Sequence, residues 1–198
     1  MLIGILSLQG CCVPHRQKFA ALGVETRRVV DPDDLDGIDG LVIPGGESTT
    51  MLKMTGPELW QKLRRFAMEH PVWGVCAGCI MIADRVENPD QDCLELIGIV
   101  VRRNAYGSQN DSLIDTVSID IDDGFTWTAV FIRAPKIVAT GEDVRLLACY
   151  QGIPVMVENG RHLATTFHPE LVEGTRIHHY FLNKVKVAGC HRQPNRVV

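Results

Sequence analysis

The chain opens on a short apolar run, Leu2–Leu8, closed by Gln9-Gly10, the pattern of a strand buried on both faces. Val13–Leu22 repeats its apolar positions at helical spacing and stops at Gly23, a residue suited to a helix C-terminus. Thr26–Val30 reads as a second strand and Gly40–Ile43 as a third, cut off by Pro44-Gly45-Gly46. Thr49–Met68 is helical in pattern with a break at Gly56-Pro57, because proline inside a helix removes a hydrogen bond. Val72–Val75 is another short buried strand, and Ala77–Ala83 continues as an apolar helix. Strands alternating with helices in this way predict a parallel sheet covered on both faces.

The rhythm changes beyond residue 95. Leu96–Arg102, Leu113–Ile121, Thr126–Ile132, Val144–Cys149, Pro154–Glu158 and His162–Phe167 all read as strands with few helices between them, and Arg176–Val185 as a closing helix. The expectation is an α/β fold: a single domain over residues 1–187 with a central mixed, mostly parallel sheet flanked by helices, then a loose polar tail at 188–198. No internal repeat interrupts this, and Asp31–Asp39 reads as a solvated loop rather than a metal site.

At 198 residues, one domain with a substantial core is the first expectation. The formal net charge of −4 gives no electrostatic reason to expect nucleic acid or an anionic membrane as partner. No apolar run approaches the roughly 20 residues needed to cross a bilayer. The apolar N-terminus lacks a basic leader and reads as a strand, not a signal peptide. Seven scattered cysteines, an odd number, argue against a disulfide framework and for a reducing compartment, hence a cytoplasmic protein.

Gly74-Val75-Cys76-Ala77-Gly78 lies between a buried strand and an apolar helix, the setting of a nucleophile elbow. The flanking glycines permit the tight turn, and a helix start beneath the sulfur favours the thiolate that nucleophilic attack requires. Two other readings stay open: an inert buried cysteine, or a redox pair, since Cys76-Ala77-Gly78-Cys79 is also a C-x-x-C. A zinc site lacks the second C-x-x-C needed for four ligands. Downstream, His168-Pro169-Glu170 follows a strand. If the segment is extended, His168 and Glu170 point the same way, so the carboxylate can fix the imidazole tautomer. The competing possibility is a histidine and a surface glutamate that merely end a strand. His15, His70, His162, His178, His179 and His191 lack an acidic residue two positions away and read as surface or structural.

Leu41–Ile43 running into Pro44-Gly45-Gly46-Glu47-Ser48-Thr49 supplies a glycine loop whose backbone N–H groups can approach a ligand. An acyl-transfer site needs two such donors, and the amides of Gly46 and Ala77 fit. A phosphate loop is the rival idea, but its lysine signature is missing. Ser48 or Thr49 could equally cap the next helix.

Together, PGGESTT at 44–50, WGVCAG at 73–78, Arg103-Asn104, GSQNDS at 107–112, IRAP at 132–135 and FHPEL at 167–171 resemble the class I (triad) glutamine amidotransferases. Within them the chain is most similar to the glutaminase subunits of pyridoxal 5′-phosphate synthases. The resemblance runs from residue 4 to about 185. It implies hydrolysis of L-glutamine by a Cys76–His168–Glu170 triad, with Gly46, Glu47, Ser48, Arg103, Ile132 and Arg133 holding the substrate. It implies no metal or organic cofactor, and a pyridoxal 5′-phosphate synthase (lyase) subunit as protein partner. Ser108, Cys79 and Cys11-Cys12 depart from the usual family residues, and Cys11 and Ser108 fall where partner contact is expected. Glutaminase subunits serving imidazole-glycerol-phosphate or GMP synthesis, a thiol–disulfide protein and a catalytically silent binding module are the alternatives.

Overall fold

The computed structural model describes residues 1–103 and 112–192. Asn104 and the 107–111 part of GSQNDS lie outside the described residues, as do positions 193–198 of the expected tail.

Five parallel strands form the first half of a nine-stranded sheet. They are β1 (Leu2–Leu6), β2 (Glu25–Val29), β3 (Gly40–Ile43), β4 (Val72–Val75) and β12 (Leu163–Thr165), in the spatial order β2-β1-β3-β4-β12. Beyond β12 the sheet turns antiparallel through β11 (Ile153–Glu158), β10 (Arg145–Tyr150), β7 (Ser112–Ile119) and β8 (Phe125–Ile132). β3 and β4 are buried at every position, as continuous apolar runs in a sheet covered on both sides must be.

Helices α1 (Cys12–Ala21) and α4 (Arg176–Arg192) cover one face, contributing Phe19, Ile177, Phe181 and Val185 to a core with Ile3, Ile5, Val42 and Trp73. Helices α2 (Ser48–Glu69) and α3 (Ala77–Ile82) cover the other, where Met51, Leu63 and Met81 pack with Leu6, Leu41 and Ile43. α2 breaks at Gly56, whose φ of 63° and ψ of 168° are non-helical, just before Pro57. α4 runs seven residues past the expected Val185, so the segment thought to be tail begins as helix.

Two strands escaped the hydrophobic pattern. β5 (Ala83–Glu87) and β9 (Lys136–Thr140) flank β6 (Ile97–Arg102) in a separate three-stranded sheet that packs Val86, Ile97, Ile99, Val101 and Ile137 against the α2–α3 side. Within Asp31–Asp39, a short 3₁₀ turn over Pro32–Leu35 buries Leu35. Among the described residues, no helix is long and apolar enough to cross a membrane.

Parallel pairing of β4 with β12 aligns Val75 with Thr165. The residues that follow each strand therefore emerge side by side at the carboxyl edge of the sheet, the usual ligand-binding edge of open α/β folds.

Candidate active site

Cys76 follows β4 with φ 49° and ψ −101°, a strained backbone for a residue with a side chain. Its amide donates to Thr165 O at 2.8 Å, fixing the turn to β12. The turn is possible only with glycines on either side. A Cβ on Gly74 would stand 2.4 Å from Gly78 O, and one on Gly78 would stand 1.9 Å from Ile43 O. This is the elbow geometry that the spacing predicted, and it turns the Cys76 sulfur toward the Ile132 carbonyl, 3.7 Å away.

His168 does not continue the strand. Its φ of −103° and ψ of 86° open a 3₁₀ turn over Pro169–Leu171, so the two side chains meet through a turn and not through the extended segment that was expected. The turn folds Glu170 back under the ring, and His168 Nδ1–H donates to Glu170 Oε1 at 2.7 Å. The His168 amide is held by Val130 O at 2.9 Å. Burial works against a charged His168, but hydrogen bonds with Cys76 and Glu170 outweigh it and raise its pKa to about 10. Glu170 is 3% exposed, and there too burial is outweighed, by the His168 hydrogen bond and the nearby histidines, so its pKa lies below the ordinary carboxylate value.

The sequence offered no sign of what stands behind Glu170. His15, on α1, is completely buried with Nε2 3.5 Å from Glu170 Oε2, and its Nδ1 lies 3.0 Å from Nε2 of His178, which is also completely buried. Both had read as ordinary histidines. Only the packing of α1 and α4 across the sheet face brings them to Glu170, and no motif spans that distance.

The loop after β3 is laced to the loop after β1. Cys11 N–H donates to Gly45 O at 3.0 Å, and Glu47 N–H donates to Gln9 Oε1 at 2.8 Å. Gly10, at φ 110°, passes so close that a Cβ there would stand 1.9 Å from Gly45 O. Gly45 in turn lies against the base, where a Cβ would meet His168 Cε1 at 2.2 Å.

A cavity of about 330 Å³ opens between these loops. Of the ten residues singled out in the sequence, nine line it: Gly46, Glu47, Ser48, Cys76, Ala77, Arg103, Ile132, Arg133 and His168. Glu170 lies behind His168, where an orienting carboxylate belongs. Gln9, Gly10 and Cys11 also line the cavity, so the first loop is part of the site as well as a neighbour of it.

Two side chains have additional local duties. Neither Ser48 nor Thr49 caps α2. Glu47 does, accepting the amides of Thr49 (3.2 Å) and Thr50 (2.7 Å) and both hydroxyls. Burial opposes its ionisation, but those Thr50 and Thr49 hydrogen bonds hold its pKa at about 2. Ser48 Oγ donates instead to Gln91 Oε1. Arg103 reaches Glu47 Oε1 at 3.3 Å and Thr49 Oγ1 at 2.9 Å. Arg133 is exposed on the cavity rim, its backbone at φ 43°.

Cys79 is completely buried in the α2–α3 core, whereas Cys76 packs with the opposite core, so the two thiols of the C-x-x-C face different layers. Burial pushes the Cys79 thiol far up, which removes the exposed, low-pKa partner that a redox pair needs. Cys11 Sγ, a His168 ring nitrogen and a Glu170 oxygen lie within 4.8 Å of one another. Two ligands of one tetrahedral zinc, each about 2.0 Å from it, stand about 3.3 Å apart, whereas His168 and Glu170 are bonded across 2.7 Å. Burial, and then the charge of Glu170, also raise the Cys11 pKa. The arrangement suits proton transfer better than metal ligation.

Several known proteins are similar to this chain over most of its length. A pyridoxal 5′-phosphate synthase subunit PdxT from Thermosipho africanus is 47% identical over 190 residues, covering 94% of this chain and all of that protein. The PdxT of Koribacter versatilis is also 47% identical, over 186 residues, covering 94% of this chain and 96% of its own. A crystal structure of a glutamine amidotransferase superposes with a TM-score of 0.88 at 36% identity, covering 93% of this chain and 98% of that one. PurLQS from Thermotoga maritima, at 15% identity and a TM-score of 0.70 over 92% and 97% of the two chains, shares the fold. The profile of the SNO glutamine amidotransferase family matches residues 5–187, and the chain belongs to that family.

Proposed function

We propose that this chain is the glutaminase subunit of a pyridoxal 5′-phosphate synthase, hydrolysing L-glutamine to L-glutamate and passing the ammonia to the synthase subunit. The observation that carries the reading is the convergence, in one cavity, of a strained Cys76, a His168 backed by Glu170, and a glycine loop. The two PdxT relatives, matched over nearly their whole lengths, supply the assembly and so favour it over amidotransferases of other pathways.

In this reading the Cys76 thiolate attacks the side-chain amide carbon of glutamine. The Gly46 and Ala77 amides receive the oxyanion of the tetrahedral intermediate. Protonated His168 gives its proton to the departing nitrogen, ammonia leaves, and a glutamyl thioester remains on Cys76. His168 then takes a proton from water, whose oxygen attacks the thioester and releases glutamate and the Cys76 thiolate. Glu170 keeps the ring in the Nδ1–H tautomer throughout. Arg103, Arg133 and Glu47, which line the cavity, would meet the α-carboxylate and α-ammonium groups, with Ser48 and Ile132 completing the walls. A cytoplasmic location fits free thiols at all seven cysteines.

The test is glutamine labelled with ¹⁵N in its side-chain amide, supplied to the chain with and without its synthase subunit. Label should enter pyridoxal 5′-phosphate only in the mixture, and Cys76→Ala should stop it. Glutamate release that persists in Cys76→Ala would remove the triad, and label that never reaches the vitamin would remove the assigned partner.

A further inference from the structure

The chemistry just proposed uses one oxygen of Glu170 and leaves the other unexplained. Oε1 accepts from His168, while Oε2 is sealed from solvent with no hydrogen-bond partner. His15 Nε2 faces it at 3.5 Å and is itself buried without a hydrogen-bond partner. That distance exceeds a formed hydrogen bond, and an approach of about 0.5 Å would make one of ordinary length. A carboxylate oxygen and a ring nitrogen that face each other, both buried and both without a hydrogen-bond partner, belong together.

The tautomers follow from the same network. Burial lowers the pKa of both His15 and His178 to about 3, so each ring is neutral and carries one N–H. If His15 held its proton on Nδ1, facing His178, its Nε2 lone pair would confront the carboxylate. The opposite choice satisfies both contacts. His178 Nε2–H donates to His15 Nδ1 across 3.0 Å, and His15 Nε2–H points at Glu170 Oε2. Aromatic rings hold the pair in this pose. Trp73 meets His15 edge-on at 5.5 Å and His178 at 4.9 Å, and Phe19 meets His178 at 5.1 Å. Neither histidine need carry a charge, and the N–H of each points toward the triad.

We infer that His15 is a positioning residue of the triad, pinning the free oxygen of Glu170 so that the other stays on His168, with His178 fixing the His15 tautomer. The inference rests on the triad reading given under the proposed function. Without the second contact, the carboxylate can turn about its terminal bond and exchange its oxygens under the ring, and the imidazole loses its fixed orientation. The two histidines thus extend the Cys76–His168–Glu170 line to a row of five groups crossing from the cavity to α4.

Three measurements on the full chain decide this. Long-range ¹H–¹⁵N correlation spectra of the ¹⁵N-histidine-labelled protein report tautomers directly. His15 and His178 should both be Nε2–H, and an Nδ1–H His15 overturns the proposal without any variant or substrate. In glutaminase assays with the synthase subunit, His15→Leu should lower kcat about tenfold, the low end of what partners behind a functional histidine contribute at metal sites, with KM within about twofold. His15→Gln, which keeps a donor facing Glu170, should recover most of that loss. In a Glu170→Gln background, His15→Leu should cost nothing further, since no carboxylate remains to be held. An equal loss in both backgrounds means that His15 only fills space, and overturns the assignment. A parent chain that releases no glutamate strikes the proposed function itself, while the tautomer spectra still decide for or against His15.

Discussion

Gly45→Ala is the most exacting test of how tightly the base is held. The new Cβ would begin 2.2 Å from His168 Cε1, against 3.4 Å for ordinary van der Waals contact, so 1.2 Å of separation must be found. The ring has nowhere to retreat, because Glu170 Oε1 holds Nδ1 at 2.7 Å from behind and Val130 O holds the His168 amide at 2.9 Å. The loop is also anchored, through Cys11 N–H to Gly45 O at 3.0 Å. One of these restraints must give. If the imidazole moves by about 1 Å, the misplacement costs about 10² in rate. If the Gly46 amide moves instead, losing an oxyanion donor costs about 10²–10³ in kcat, or about 3–4 kcal/mol at the transition state. Overpacking of this kind destabilises by about 1–3 kcal/mol, and each kcal/mol lowers Tm by about 2–4 °C in a chain of this size. The assay is glutamate production with the synthase subunit, resolved into kcat and KM, beside a thermal melt by circular dichroism. The expectation is a folded variant with kcat down at least a hundredfold and KM changed only a few-fold. A Gly45→Ala enzyme running at the parent's rate would mean that His168 is not confined as described, and the argument from close packing would fail.

Cys79→Ser should keep most glutaminase activity while lowering Tm, since a hydroxyl buried without a partner costs about 1–3 kcal/mol. Equal loss of activity with Cys76→Ser would restore the redox pair. Glu47→Ala removes the α2 cap and should cost about 0.5–2 kcal/mol in a denaturant melt, besides freeing Arg103 and raising KM for glutamine; an unchanged melt would contradict the capping role. Arg133→Ala should raise KM with little change in kcat, and saturation kinetics showing an unaltered KM would take Arg133 off the substrate. Glu170 titrates below its ordinary value of 4.5, so its stabilising contribution is complete above that pH and is lost as pH falls through the depressed value in the folded chain. The Tm difference between the parent and Glu170→Gln should therefore shrink on acidification below 4.5, and a constant difference there would contradict an ionised Glu170.

What could be read from the sequence divides along a physical line. β3 and β4 were placed at their observed ends because a strand buried on both faces is a pure apolar run, and glycine and proline cut it off sharply. The elbow and the glycine loop were legible for the same reason: Gly74 and Gly78 are demanded by backbone contact and Gly45 by the His168 ring, and a glycine at such a close approach leaves its mark in the local sequence. β5 and β9 were not legible, since Ala83–Glu87 buries only Ala83 and Val86, and Lys136–Thr140 only Ile137. Such strands are defined by their neighbours in the small sheet. Residue preference offered Ser48 or Thr49 as a possible α2 cap, yet the longer Glu47 side chain reaches both threonine amides at once. His15 and His178 were passed over because their partners are met only after two helices pack on one sheet face. Tertiary contact decides such roles.

The lacing of the first two loops has a thermodynamic consequence. Gln9 and Cys11 hold Glu47 and Gly45 through two hydrogen bonds, so the conformations of the two loops are not independent variables. Any molecule that grips Gln9–Cys11 and favours one arrangement therefore also biases the loop over Gly45–Glu47, which carries the proposed oxyanion donor. Linkage makes that bias reciprocal. Whatever a docked protein adds to the affinity for glutamine or its thioester, the occupied cavity must return as an equal factor in the affinity for the docked protein. A complex poised in this way would tighten as it fills and loosen as glutamate leaves, with no further moving part than two hydrogen bonds, one between backbone groups and one to the Gln9 side chain.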